Sequence, residues 1–532
     1  MKWYLTEPLQ CVFRGRILSA QVVSAMPDRR GLRLFPLSLL LLPILSFGQL
    51  QLSNIFSANM VLQRNAPIHI WGKAVPGRMV TVSFARQCRQ ATVQQDSAWS
   101  VSFQKQKENA RPQSLFIACG DEKIELQNIL VGDVWLCSGQ SNMEWPVQRE
   151  MHWKEESRNA HQSLVRLNNP PPAGRNVYGV AYTDSLNRRL TTDSFYAWHG
   201  WDTCDSNTVK DMSAVGYYFA KRIVEKEGIP IGLINLSIGG APLETFISRD
   251  ALQNDKRFAA KVRGDWLRNE QLPGWIRERG KQNVGNHPEG YKDDLGLNHA
   301  YKPGFAYESG VKPLLNFPIK GVLWYQGESN SLEKERVDEY KDLLHLLIDD
   351  YRRKWKQPDM PFYWVQLSSI DTATYSSQYW PQFRDGQRRL LNEVKRGGMA
   401  VCSDIGFQNN VHPTNKKDVG ERLARWALQQ VYGEDIVPSG PLPLNAVYHK
   451  GKIIVTFRYA RQLRTADGNG LRGFSLDGKT GAAATIVNDR VVIRSEQTPA
   501  FLYYGWKPFT DANLVNDEGL PASTFKLKIN DR

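Results

Sequence analysis

A chain of 532 residues exceeds what one hydrophobic core accommodates, so two or three domains are expected. Its 41% hydrophobic content, with 16 Trp and 20 Tyr, excludes a disordered or low-complexity protein. The formal charge of +14 is scattered rather than gathered on a reading element, which argues against a nucleic-acid partner and for solubility, with some attraction to anions.

Residues 1–48 read as a leader. Arg29, Arg30 and Arg33 flank an apolar core, Leu34 to Phe47, and Ser46-Phe47-Gly48 offers small residues for cleavage before Gln49. The signal core spans about 31–48, and Met26 is an alternative start. The core is short for a membrane span, so the expected product is secreted or periplasmic, with no membrane contact after cleavage; a retained anchor is the rival reading. Five cysteines follow the leader: Cys88, Cys119, Cys137, Cys204 and Cys402. None has metal-site spacing, and Cys88 with Cys119 is a candidate pair in an oxidising compartment.

Residues 49–127 alternate short apolar runs with turns, as in Met79–Phe84 and Ala98–Phe103, and predict a small β module resembling a sandwich. From residue 128 to 436 the period changes. Leu130 to Cys137, Ile229 to Leu236, Lys320 to Tyr325, Pro361 to Leu367 and Gly398 to Asp404 read as buried strands. Helical stretches lie between them at Asp211–Glu227, Glu333–Trp355, Gln382–Val394 and Asn415–Tyr432, with Asn415 as a cap. Alternating β and α predicts an α/β domain with a parallel sheet and helices on both faces. Residues 253–310 interrupt the rhythm, either as a wall over the sheet's carboxyl edge or as a disordered loop. After Pro438–Pro441 a second β module occupies 437–532, and the aromatic run Tyr503 to Trp506 is expected to pack on the α/β domain.

The chemistry gathers where the strands end. The run Leu130–Cys137 breaks abruptly into Ser138-Gly139-Gln140-Ser141-Asn142. Open α/β sheets bind ligands at such an edge, which makes Ser141 the candidate nucleophile. The Gly-x-Ser-x-Gly elbow is absent, because Met143 replaces the second glycine. Gly239 and Gly240 admit a backbone N–H into a site, and the amides of Gln326 and Asn330 suit an oxyanion. His412, between a buried strand and a capped helix, is the candidate base, with His287 as a rival of the same His-Pro form.

Together these phrases resemble the sialate O-acetylesterase family within the SGNH hydrolase superfamily. The resemblance rests on Gly132 to Met143, Gly232-Leu233-Ile234-Asn235 with Gly239-Gly240, Trp324 to Asn330, and His412-Pro413 with Asn415-Lys416 and Val419 to Ala424. Ile55 to Gln63 and Asn513 to Ser523 extend it over nearly the whole mature chain. It implies an SGNH-type three-layer α/β/α domain and a secreted serine esterase that removes acetyl groups from sugars, O-acetylated sialic acid above all. Acetylated xylan or pectin-type sugars, or a carbohydrate-binding protein weakened in catalysis, are the alternatives. No metal or organic cofactor is implied. Such enzymes place an aspartate two or three residues before the histidine, where this chain has Asn409 and Asn410. Either Asp404 completes a triad, with Glu328 a weaker substitute, or Ser141 and His412 form a dyad.

Overall fold

A computed structural model describes residues 49–370 and 378–531. The leader and its signal core lie outside the described residues. The described chain forms two compact units. The first comprises the residues up to Ser53 with His69–Phe103 and Gln113–Leu126. Strands Gln51–Leu52, Ile68–Lys73 and Ala98–Phe103 make one sheet. Met79–Phe84 pairs on either side with Gln87–Thr92 and Asn109–Cys119. Alternate residues Val80, Val82 and Phe84 are buried, and Phe84 meets Phe103 edge-on at 6.2 Å, so two sheets share an apolar core. Residues 54–68 and 104–112, expected in this module, belong to the second unit. Their strand Val61–Gln63 pairs in parallel with Leu130–Gly132.

Among the described residues, Cys88 and Cys119 are not joined in the disulfide their sequence position suggested. Cys88 stands opposite Ser83 and Ser83 opposite Phe116, so a whole strand separates the two cysteines. Two strand spacings, about 9.6 Å, exceed the reach of a disulfide.

The second unit is built on seven strands. These are β1 (Glu122–Gly139, of which Gln127 onward belongs to this unit), β2 (Gln162–Asn168), β3 (Asp202–Cys204), β4 (Ile231–Asn235), β5 (Gly321–Tyr325), β6 (Phe362–Val365) and β7 (Gly397–Ala400). Their order is β3-β2-β4-β1-β5-β6-β7, parallel except for the edge strand β3. The principal helices are α1 (Ser141–Glu144), α2 (Ala214–Glu227), α3 (Gly274–Val284), α4 (Lys334–Lys354), α5 (Trp380–Leu390) and α6 (Lys417–Ala427). Consecutive residues of β6 meet helices on opposite sides, as the two-residue period of a strand requires. Tyr363 donates to the Trp426 carbonyl of α6, while Trp364 donates to the Gln387 carbonyl of α5. Because both faces are covered, β4, β5, β6 and β7 are buried at every residue.

Residues 253–310 are an ordered excursion that contains α3, not a structureless loop. The last expected strand stops at Ala400, and Asp404 lies in a short helical turn beyond it. The helix expected from Asn415 starts at Lys417 with Lys416, not Asn415, at its cap, although Asn415 Oδ1 still accepts the Asp418 N–H at 3.1 Å.

The carboxy-terminal residues form a seven-stranded sheet around Val455, Phe474, Val491 and Phe525 within the second unit. The buried Arg384 of α5 fixes it to the parallel-sheet region by donating to the carbonyls of Gly505, Lys507 and Pro508. Backbone carbonyls at and after the Tyr503–Trp506 run make this contact, while the Tyr504 ring itself packs against Phe474 and Phe525 in the sheet's own core.

Candidate active site

Strand β1 ends at Gly139, whose φ of +132° only glycine adopts comfortably and whose would-be Cβ collides with the Tyr325 carbonyl of β5. The chain then turns into α1, and Ser141 is its first residue. The Ser141 Oγ lies 2.8 Å from His412 Nε2. Trp145 stacks on the imidazole with centroids 5.3 Å apart, fixing its plane. Backbone bonding fixes its loop, since Asn410 Oδ1 accepts the His412 N–H at 2.9 Å. Burial first, and the Lys416 charge second, push the imidazole down to about 4. His412 is therefore neutral, and able to accept a proton, through the whole neutral range.

The rival His287 is remote from this pair, with its Nε2 2.7 Å from the Tyr182 carbonyl. Asp404 is not brought to His412. Both its oxygens accept from the Arg422 guanidinium at 2.7 Å. Glu328 is fully buried behind α1 and accepts from Asn142 Nδ2. Among the described residues no hydrogen-bond partner faces His412 Nδ1.

The four expected oxyanion residues have different fates. Gln326 donates to Asn330 Oδ1 at 2.7 Å and to the Ala241 carbonyl at 3.3 Å. Asn330 donates to Glu244 and accepts the Leu243 N–H. Both amides brace the loop after β4 instead of pointing at Ser141. Gly239 lies against the Glu144 carboxylate, which burial pushes up and the Arg175 ion pair at 2.7 Å pulls down. Gly240, with φ of +70°, has an N–H without a partner among the described residues, as does Ser141 at the start of α1. Helix starts and glycine turns of this kind offer donors to a developing negative charge.

Two site residues escaped the sequence reasoning. Asn142 ties three loops together, donating to Glu328 and to the Val411 carbonyl at 3.0 Å and accepting from Lys416. Lys416 is wholly buried, its ammonium over the rings of Trp145 and Tyr325. Burial pushes it down to about 7. The available signal was its position four residues after His412, opposite a motif rich in amides.

Among the described residues, no three His, Cys, Asp or Glu side chains converge as metal ligands, and no helix is long and apolar enough to cross a membrane.

Comparison with known proteins finds carbohydrate esterases at the level of sequence and of structure. A family profile described as carbohydrate esterase, sialic acid-specific acetylesterase, matches residues 302–429. The sialate O-acetylesterases of Pongo abelii and Homo sapiens are each 28% identical over 443 residues, spanning 77% of this chain and 77% of theirs. The crystal structure of a carbohydrate acetylesterase from Xanthomonas citri superposes with a TM-score of 0.74 at 28% identity. It covers 90% of this chain and 99% of its own.

Proposed function

The chain belongs to the sialate O-acetylesterase family of carboxylic ester hydrolases, and we propose that it is a secreted serine esterase removing O-acetyl groups from sugars, O-acetylated sialic acid foremost, through a Ser141–His412 dyad. The carrying observation is the 2.8 Å contact between Ser141 Oγ and His412 Nε2 at the carboxyl edge of a parallel sheet. Helices against both faces of that sheet support an SGNH-type three-layer domain.

Ser141 Oγ attacks the acetyl carbonyl while His412 Nε2 takes its proton. The carbonyl oxygen becomes an oxyanion, met by the N–H groups of Ser141 and Gly240. Collapse breaks the ester bond, and His412 gives its proton to the departing sugar oxygen. Water, deprotonated by His412, then attacks the acetyl-enzyme and frees acetate and Ser141. Asp404 takes no part, because Arg422 occupies both its oxygens. The Trp145 stack and the Asn410 bond orient the imidazole instead.

The test is acetate release from 9-O-acetylated sialic acid and from acetylated xylan in parallel. The wild type is expected to release acetate, and Ser141→Ala to lose at least about 1,000-fold in kcat with its circular dichroism unchanged. Faster release from xylan would move the substrate class to neutral polysaccharides. No release from either sugar or from a simple aryl acetate would leave a binding protein, the reading favoured by Asn409 and Asn410.

A further inference from the structure

Helix α3 brings two exceptional side chains to the oxyanion loop. Trp275 and Arg279 stand four residues apart and so share one face of the helix. The Trp275 ring comes within 3.8 Å of where a Cβ on Gly240 would sit, and its Nε1 donates to the Ser329 carbonyl at 3.3 Å. It also meets Tyr301 edge-on at 5.8 Å, and Tyr301 Oη donates to the Gly239 carbonyl at 2.9 Å. One turn on, the half-buried Arg279 guanidinium lies 5.3 Å from the centre of the Tyr178 ring. Tyr178 in turn abuts Gly239, since a Cβ there would collide with its Oη.

Arg279 differs from its neighbour Arg175. Arg175 is neutralised by Glu144, whereas among the described residues no carboxylate pairs with Arg279. Its charge acts on Tyr178, Tyr182, His299 and Tyr301 from a shared wall. A guanidinium held on an aromatic face, partly withdrawn from water and unpaired, is set to take an anion in its planar fork.

We propose that Arg279, with Trp275 beside it, forms a subsite that recognises the carboxylate of an acetylated sugar acid while Ser141 works on its acetyl group. The subsite deepens the esterase reading above and rests on it. The Trp275 ring takes the apolar face of the pyranose, and Arg279 takes the carboxylate. A neutral sugar offers Arg279 nothing in return for its partial desolvation. The enzyme therefore selects acids through binding, by about tenfold to a hundredfold, the range of a charge-assisted hydrogen bond.

The experiment compares kcat/KM for the methyl glycoside of 9-O-acetylated sialic acid with that for its carboxylic methyl ester. The wild type is expected to favour the acid at least about tenfold, with the difference in KM. In Arg279→Gln the ratio falls towards one, and Arg279→Lys keeps part of it. A wild-type ratio near one, or a ratio unmoved in Arg279→Gln whatever the overall rate, overturns the subsite and leaves the esterase intact. Failure of the wild type on the acid, its ester and an aryl acetate overturns the esterase reading itself, and the subsite with it.

Discussion

Replacing the buried Lys416 by methionine should move the acid limb of catalysis upward. The Trp145 ring contacts both groups, 5.6 Å from Lys416 Nζ and 5.3 Å from the His412 imidazole. These two legs bound their separation at about 11 Å. At an effective dielectric of about 20, a unit charge at that distance opposes the imidazolium by about 1.5 kcal/mol, or about one pKa unit. Other groups facing Lys416 are Glu328, Cys402 and Glu150, and its Nζ donates to Asn142. His412 is pushed down to about 4, by burial and then by this charge. Lys416, at about 7, is fully charged through that window. As the proposed base, His412 can act only when neutral, above its pKa. Removing the cation favours the protonated form, so activity should fall away about one unit earlier as pH drops, near pH 5. Methionine leaves Asn142 Oδ1 without a donor, which costs about 1–3 kcal/mol and lowers the melting temperature. The position of the limb in kcat/KM, not its height, is therefore the readout. A limb that stays put or moves down would refute the electrostatic account.

Asp404→Asn should cost stability through Arg422, by at most about 1 kcal/mol for this partly exposed pair. Its kcat/KM should stay within about threefold of wild type, and a hundredfold loss in steady-state assays would restore Asp404 to a triad. Asn410→Asp places a carboxylate two residues before His412 and should raise the imidazole pKa, shifting the acid limb of the pH–rate profile upward. Asn142→Asp keeps the acceptor for Lys416 but loses both donated bonds and faces the Glu328 carboxyl. It should lower the melting temperature and kcat together, as thermal unfolding and initial rates would show.

The strands β1 and β4 to β7 were legible because they are apolar runs with abrupt ends, the signature of burial on both faces. That edge exposed Ser141, and the His-Pro loop after β7 exposed His412. Strands β2, QSLVRLN, and β3, DTC, were missed because polar residues interrupt them. What the residues could not disclose was direction. Gln326 and Asn330 have the donors an oxyanion needs, but whether they aim at a substrate or at a neighbouring loop depends on contacts 85 to 87 residues away in sequence. Asp404 was placed by its nearness to the strand end, while its partner Arg422 waits 18 residues on in α6. The Cys88–Cys119 expectation failed for a register reason, since sequence nearness says nothing of the strand between them.

The amides of the serine and Gln-Gly-Glu-Ser-Asn motifs share a physical task. Loops leaving parallel strands lose their ladder partners at the sheet edge, so their polar groups need other partners. Here each loop supplies them to the next. Gln140 accepts the Ser329 N–H at 3.1 Å, Ser329 Oγ donates to the Gly240 carbonyl at 3.0 Å, and Asn142 reaches the Val411 carbonyl beside His412. Such a closed set holds the proposed nucleophile, base and donor loop in one geometry, with no acid behind the proposed base among the described residues. It also explains why a Ser–His pair here depends on residues that need never touch the substrate.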